Sequence, residues 1–395
     1  MGGGLMQLVA YGAQDIYLTG NPQITFFKIV YRRHTNFSME SIQQSWNGTV
    51  AKGSRTVSTI SRNGDLLGRL FIQYTHPPSA GVHNESAYNI GNVSVEIGGQ
   101  LIDRHYGHWM EVWAELTENI TGQVVGSKFQ MMSGLGKDKG ATLDQPAVVL
   151  APGDVVAHNG SGTQLFNIVN MENRICYMPL YFWFCRNPGL AVPLIALQYH
   201  EVKIIVEWNA FSNSAKRDHQ LWADYFYLDT DERRRFAQVS HEYLIEQVQF
   251  KNYKTDVIHE LNFNHPVKEL IFTGGHNKST PYHLTTGPND TAYLKFNGHD
   301  RMAARPLSYY SLTQVWQHHT GCGFFGGSTK AVNGHIGVYS FALKPEEHQP
   351  SGTCNFSRID SAQLILSATS YVNIYAVNYN VLRIMSGMGG LAYSN

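Results

Sequence analysis

Apolar and polar residues alternate along most of the chain, in short runs rich in Val, Ile, Tyr, Phe and Thr that Gly, Pro, Asn and Asp interrupt. A two-residue period is the mark of a half-buried strand, and helical spacing is scarce. Between Phe37 and Thr230 the strand pattern predicts eight segments: FSMESIQQSW, RTVSTIS, LLGRLFIQYT, VSVEIGGQLIDR, RICYMPLYFWF, LIALQ, EVKIIVEW and ADYFYLDT. A charged run, DTDERRRFAQ (Asp229 to Gln238), follows. Eight more segments come after it: EYLIEQVQF, VIHELNF, VKELIFTGG, AYLKFNGHDR, VYSFAL, TCNFSRI, AQLILSA and VNIYAVNYNVLRIM. One amphipathic helix is predicted within RHYGHWMEVWAELTEN, where Trp109, Val112, Trp113 and Leu116 share a face.

The two sets share features in the same order. NFSMESIQ resembles HEYLIEQVQ, VEIGGQLIDR resembles LKFNGHDR, and MPLYFWFCRNPG resembles VYSFALKPEEHQPSG. Three matches in register point to an internal duplication. Eight short strands per half suit an antiparallel sandwich, so the expected fold is all-β: two tandem eight-stranded antiparallel jelly rolls. The expected parts are an N-terminal arm (1–27), a first roll (28–230), a linker (231–238) and a second roll (239–395). Long interruptions at 119–170, 276–290 and 317–330 are expected to be surface loops that carry function or contacts.

Charged residues are only 15% of the chain, against roughly 25% in an average soluble protein, while aromatics reach 12%. That balance favours surfaces covered by neighbouring subunits. Thirty basic and thirty acidic residues leave no net charge, which argues against a nucleic-acid coat. Cys176, Cys185, Cys322 and Cys354 form no CxxC pair, so a reducing compartment is the simpler setting. The start, MGGGLMQLVAYG, lacks the basic and apolar regions of a signal peptide, and the longest apolar run, MPLYFWFC, is too short to span a bilayer.

Chemistry is sparse. Gly387, Gly389 and Ala392 make a GxGxxA pattern, but the helix that a dinucleotide site needs cannot follow it, and a close-packed tail is the expectation. His318, His319 and Cys322 lie close together, yet no fourth ligand stands at a telling spacing, so a loop with incidental imidazoles is expected. His200 and Glu201 lack an HExxH frame and read as structural. No nucleophile elbow, phosphate loop or paired-carboxylate motif occurs, so no cofactor, metal or catalytic residue is assigned. The basic groups around Lys28, Arg32 and Arg33 and at Arg233, Arg234 and Arg235 are read as subunit or domain contacts. Asn84, Asn277 and Asn289 stand in N-x-S/T sequons within loop-like stretches and are glycosylation candidates. From the residues alone, a shell protein, a sugar-binding sandwich and a glycan-processing hydrolase all stay open, because fold does not choose among them.

Longer strings narrow the choice. GGGLMQLVAYGAQDIYLTGNPQITFFKIVYRRHTNFSMESIQQ, ISRNGDL, NPGLAVPLIALQYHEVK, LDTDERRRFAQVSHEYLIEQVQF, YSFALKPEEHQPSGTCNFSRID and NYNVLRIMSGMGGLAYSN run in one order from end to end. Together they resemble the double jelly-roll major capsid proteins of large icosahedral DNA viruses, in the branch that infects chlorella-like algae. The resemblance implies a structural, non-enzymatic coat protein. It would form homotrimeric, pseudo-hexagonal capsomers that meet neighbouring capsomers and minor capsid proteins above an internal membrane. The implied place is the virion shell, after synthesis and assembly in the host cytoplasm, with surface glycans in some members and no direct contact to nucleic acid. It also implies that residues 2–27 are an arm at the inner base, with Phe26, Phe27 and Ile29 as contact residues and Arg32 and Arg33 leading into the first strand. The loops at 119–170, 276–290 and 307–334 depart from the family, which leaves open a less abundant paralogue or a role in attachment through sugars.

Overall fold

The computed structural model describes residues 13–15, 19, 21–29, 31–75, 85–118, 128–133, 175–209, 218–274, 290–321 and 336–393. The chain divides into two units, Met1–Asn36 and Phe37–Asn395. Among the described residues of the first, Ala13–Asp15 form a 3-10 turn, and residues 21–29 and 31–36 form neither helix nor strand. The second unit is a β-structure whose every described pairing is antiparallel.

Among the described residues, its first half holds nine strands: β1 (Phe37–Gln44), β2 (Arg55–Thr59), β3 (Leu66–Thr75), β4 (Ile90–Ile97), β5 (Gln100–Tyr106), β6 (Ile175–Pro179), β7 (Val192–Pro193), β8 (Val202–Trp208) and β9 (Gln220–Leu228). One sheet runs β1-β9-β3-β6 with the two-residue β7 added to β3, and the other runs β2-β8-β4-β5. Alternation decides what lies between them. Leu70 and Ile72 of β3, Leu221, Ala223 and Tyr225 of β9, Val93 and Val95 of β4 and Ile204 and Val206 of β8 meet in one core. The alternate residues of β3 and β9, such as Arg69, Phe71 and Trp222, face away from it.

The second half uses β10 (His241–Glu260), β11 (Pro266–Thr273), β12 (Thr291–Phe296), β13 (His299–Asp300), β14 (Arg305–Pro306), β15 (Ile336–Ser340), β16 (Cys354–Asn355), β17 (Ala362–Met385) and β18 (Met388–Leu391). Here β10 and β17 are long enough to serve two layers. The start of β10 pairs with the end of β17, which continues to β11 and β15; the end of β10 pairs with the start of β17, which continues to β12 and β13. Counted by position, this is the wiring of the first half. Even the minor strand repeats, since β16 adds to β11 as β7 adds to β3. Both halves are therefore jelly rolls, built on one plan.

Several expected segments differ in detail. VSVEIGGQLIDR is two strands, because Gly98 and Gly99 both take positive φ (58° and 83°) and close a tight hairpin. RICYMPLYFWF is strand only as far as Pro179; Phe182, Trp183 and Phe184 are buried together around a short helix, Trp183–Arg186, and have no solvent face of the kind a half-buried strand needs. LIALQ is a pair of turns, in which Ala196 and Leu197 donate to the carbonyls of Pro193 and Leu194. EYLIEQVQF and VIHELNF are one strand with a bulge between Tyr253 and Ile258, and AQLILSA and VNIYAVNYNVLRIM are one strand also. The run read as a linker is a helix, Thr230–Gln238. Asp231 and Glu232 lie in its first turn and Arg235 in its last, the order that suits the helix dipole.

The amphipathic helix predicted around Trp109 is present as Gly107–Thr117. Its first residue must be glycine, because a Cβ there would stand 1.9 Å from the Ala87 carbonyl oxygen. A second helical stretch, a π turn at Tyr309–Thr313 running into Gln314–His318, was not foreseen. It occupies the same place in the second roll, after β14 and before β15. The GxGxxA tail is a hairpin: Ser386 and Gly387 turn at positive φ, and β18 folds back on β17 against Leu197 and Ile97.

Candidate assembly surfaces

The two rolls meet through a buried aromatic seam. The helix Gly107–Thr117 sends Met110 and Ala114 into the core of its own roll. Its other side carries Trp109, Val112, Trp113 and Leu116, the face the sequence predicts. These pack on Val248, Ile271, Val338, Tyr375 and Val377, which are the outward residues of the β10-β17-β11-β15 layer. Trp109 lies 5.0 Å from Tyr375 between ring centroids, and His108 Nδ1 is 2.9 Å from the Tyr375 hydroxyl. Hydrogen bonds that each use at least one backbone group close the seam. Val248 donates to Asp103 Oδ1 at 3.1 Å, Gln247 donates to the Ile102 carbonyl, and Gly321 donates to the Leu116 carbonyl at 2.8 Å.

Two charged groups lie beside this seam. Glu246 of β10 is gripped by Arg186 (2.6 Å) and by Lys268 (2.8 Å), whose side chain is 0% exposed. Arg186 belongs to the first roll and also lies over the Trp113 ring at 5.0 Å. Burial would raise the Glu246 carboxyl, but Arg186, His348 and Lys268 outweigh it and hold the group at about 2. The second group centres on His319, whose Nε2 is 2.9 Å from Glu269 and whose Nδ1 is 3.1 Å from Glu346. Burial opposes its charge, yet the two carboxylates raise it to about 9, so it is an imidazolium at neutral pH. The expectation of an incidental loop imidazole is corrected here: His319 caps a helix and is a buried ion-pair partner. Its signal in the sequence is weak, because Glu269 and Glu346 are far from it along the chain.

The other sequence candidates are scattered. Phe26, Phe27, Ile29, Arg32 and Arg33 are exposed, Phe27 by 98%. In the helix Thr230–Gln238, Arg233 pairs with the buried Asp65 at 2.9 Å, while Arg234 and Arg235 are exposed. None of the three joins the charged groups at the seam. Asn84, Asn277 and Asn289 fall outside the described residues, as does Cys322. His200 accepts or donates at Gly389 (2.9 Å to its carbonyl), a structural contact. Among the described residues no cluster of three His, Cys, Asp or Glu side chains could hold a metal, and no helix is long and apolar enough to cross a membrane.

Comparison with known proteins fits this architecture. The family model described as "Major capsid protein N-terminus" matches residues 25–229, and that described as "Large eukaryotic DNA virus major capsid protein" matches 232–390. The chain is 49% identical to the major capsid protein of Pyramimonas orientalis virus and 40% identical to that of Paramecium bursaria Chlorella virus 1, in each case over 100% of both chains. Among solved structures, VP54 of PBCV-1 superposes with a TM-score of 0.74 at 34% identity, covering 94% of this chain and 100% of that one. The Faustovirus major capsid protein shares the fold at a TM-score of 0.65 and 12% identity, over 95% and 94% of the two chains. With two rolls of one plan, a buried seam and full-length kinship, this chain belongs to the major capsid proteins of large eukaryotic DNA viruses, and it is a structural component of the virion's shell.

Proposed function

We propose that this chain closes as a homotrimer, whose six jelly rolls form a pseudo-hexagonal block that tiles an icosahedral shell over an internal membrane and the DNA genome. The observation that carries this reading is the repeated wiring of two rolls locked by a buried seam. One chain then presents two near-equivalent wedges, and three chains supply six. A double roll needs no catalytic group for this work, only complementary surfaces.

Within that reading, the first roll spans residues 28–230, the second 239–395, and residues 231–238 join them. Residues 1–27 act as an arm toward neighbouring capsomers and minor capsid proteins. The exposed apolar side chains of Phe26, Phe27 and Ile29, with Arg32 and Arg33 nearby, suit such a contact. Sequons at Asn84, Asn277 and Asn289 are the candidate glycan positions, and assembly takes place in the host cytoplasm. Light scattering tests the trimer. A 44.3 kDa subunit gives about 133 kDa as a closed threefold ring (3 × 44.3). A mass that stays at the monomer value across concentration would overturn the reading.

A further inference from the structure

The glycine-rich stretch around Gly387 and Gly389 holds no cofactor, yet it lies against the other roll. Along β17, pairing with β11 ends at Asn378; farther on, β10 still flanks the strand and β18 takes the place that β11 leaves. These three strands make a small extension of the second roll. One face of it belongs to the core of the first, where Ile245, Leu382 and Ile384 join residues such as Ile97 and Leu197. Tyr375 of the same strand lies in the aromatic seam, about 30 Å of strand away from Ile384. The second roll is thus fastened to the first at two places along one strand.

The two fastenings differ in kind. The seam is built of buried aromatic and aliphatic side chains. The β18 side is held by polar groups and close approach. Leu391 donates to Gln100 Oε1 at 3.1 Å, Tyr199 donates to the Gly387 carbonyl at 3.0 Å, and His200 Nδ1 stands 3.2 Å from the Gly389 nitrogen. A Cβ on Gly389 would stand 2.7 Å from Leu197 Cδ2, so glycine lets this strand lie directly on the first roll. Little apolar surface accompanies these bonds, since Met388 is 52% exposed and Leu391 is half-buried. Hydrogen bonds with so little packing around them open at lower cost than a sealed core does.

We infer that β18 is a clip, which opens while the seam stays shut and, when closed, fixes the angle between the two rolls. Closed, it presses the extension onto the first roll and gives the pair a second point of attachment. Open, it leaves the seam as the main attachment, and the rolls can pivot about it. The consequence for assembly rests on the trimer reading: two wedges complete a closed ring only at a set angle, so the clip must be shut for a chain to join one.

The test uses the full-length chain and a matched control within it. The turn before β18, Ser386 and Gly387 at φ 52° and 80°, has a twin in the second roll, Asn297 and Gly298 at 48° and 81°. A Cβ on Gly387 would stand 2.6 Å from the Tyr199 ring, whereas one on Gly298 meets nothing within 4 Å among the described residues. Valine strains both turns alike, and only Gly387→Val also pushes on the first roll. Hydrogen exchange is read by mass spectrometry. In wild type, the Tyr199 and Leu391 amides should exchange at least about tenfold faster than those of Ile271 and Val377 in the seam. Gly387→Val should speed the first two by a further factor of about ten and weaken trimer formation about tenfold, while Gly298→Val leaves those two amides at the wild-type rate. Tyr199 and Leu391 exchanging in step with Ile271, or a Gly387→Val chain whose amides or trimer mass match wild type, overturns the inference and leaves the trimer standing. A wild-type chain that never exceeds the monomer mass overturns the trimer reading itself, and the exchange rates still decide whether the clip opens alone.

Discussion

The outward faces of the two β1-type layers have the same strand order and opposite fates. In the second roll, Val248, Ile271, Val338, Tyr375 and Val377 are sealed under two tryptophans. In the first, Phe71, Trp222 and Tyr177 form an aromatic cluster that is only partly buried among the described residues. A duplicated fold with one helix-to-sheet contact per junction can satisfy only one such junction within a single chain. The difference teaches that burial here follows connectivity, not local sequence: both faces are apolar, and among the described residues only one is sealed by a helix of the other roll.

The largest expected effect comes from breaking the sealed face. Trp113→Ala removes a side chain that packs in the seam and lies under the Arg186 guanidinium. It should cost about 3–5 kcal/mol, the usual range for emptying a buried aromatic site. Urea denaturation followed by tryptophan fluorescence and far-UV circular dichroism measures it, and the two rolls should then begin to unfold in separate steps. A single transition with an unchanged midpoint would mean that the seam is not what couples them. By contrast, Tyr177→Ala on the open face should change the midpoint little.

Next in size is Glu246→Gln, which leaves Arg186 and Lys268 facing each other without their shared carboxylate. Breaking a buried pair typically costs about 3–5 kcal/mol, and the partial exposure of Arg186 puts this case near the lower end. The check is the same denaturation curve, with Glu246→Met as a second variant. If both variants match wild type, the cluster contributes nothing to holding the rolls together.

How much of this was legible in the sequence follows the same division. Alternation at Leu70, Phe71 and Ile72 marked a two-faced strand, and spacing marked the sealed face of the helix Gly107–Thr117, because both periods are local. Alternation does not tell which outward face will be covered, so Phe71 and Tyr375 read alike in sequence and differ in fate. The buried ion pairs were invisible for a related reason. Arg186, Glu246 and Lys268 come from three elements, and His319 meets Glu269 across the second roll. Phe182, Trp183 and Phe184 misled as a strand because a continuous apolar run has no period to read.

A pH series sharpens the comparison, since the sealed seam has titrating groups at its edge. His319 rises from the usual 6.5 to about 9 on folding, so its stabilising share is complete below 6.5 and is lost as pH climbs through 9. Glu246 falls from 4.5 to about 2, so its share is complete above 4.5 and is lost as pH drops toward 2. Stability should therefore decline on both sides of a plateau between pH 4.5 and 6.5. His319→Gln should flatten the alkaline limb and leave the acid limb in place. An alkaline limb of the same slope in that variant would assign the effect to other groups.

The smallest effect on stability, and a distinct one on assembly, is expected from the arm. Its described apolar side chains, Ile24, Phe26, Phe27, Ile29 and Tyr31, are exposed to the same degree as the open face or more. They lie in the separate N-terminal unit, whose residues 21–29 and 31–36 form neither strand nor helix. Deleting residues 2–27 should leave the denaturation midpoint and the trimer mass unchanged while abolishing packing of trimers into larger arrays, read by electron microscopy. The arm would then serve a second level of assembly, joining rings that close without it. If the truncated chain were instead monomeric or insoluble, the arm would belong to the first level.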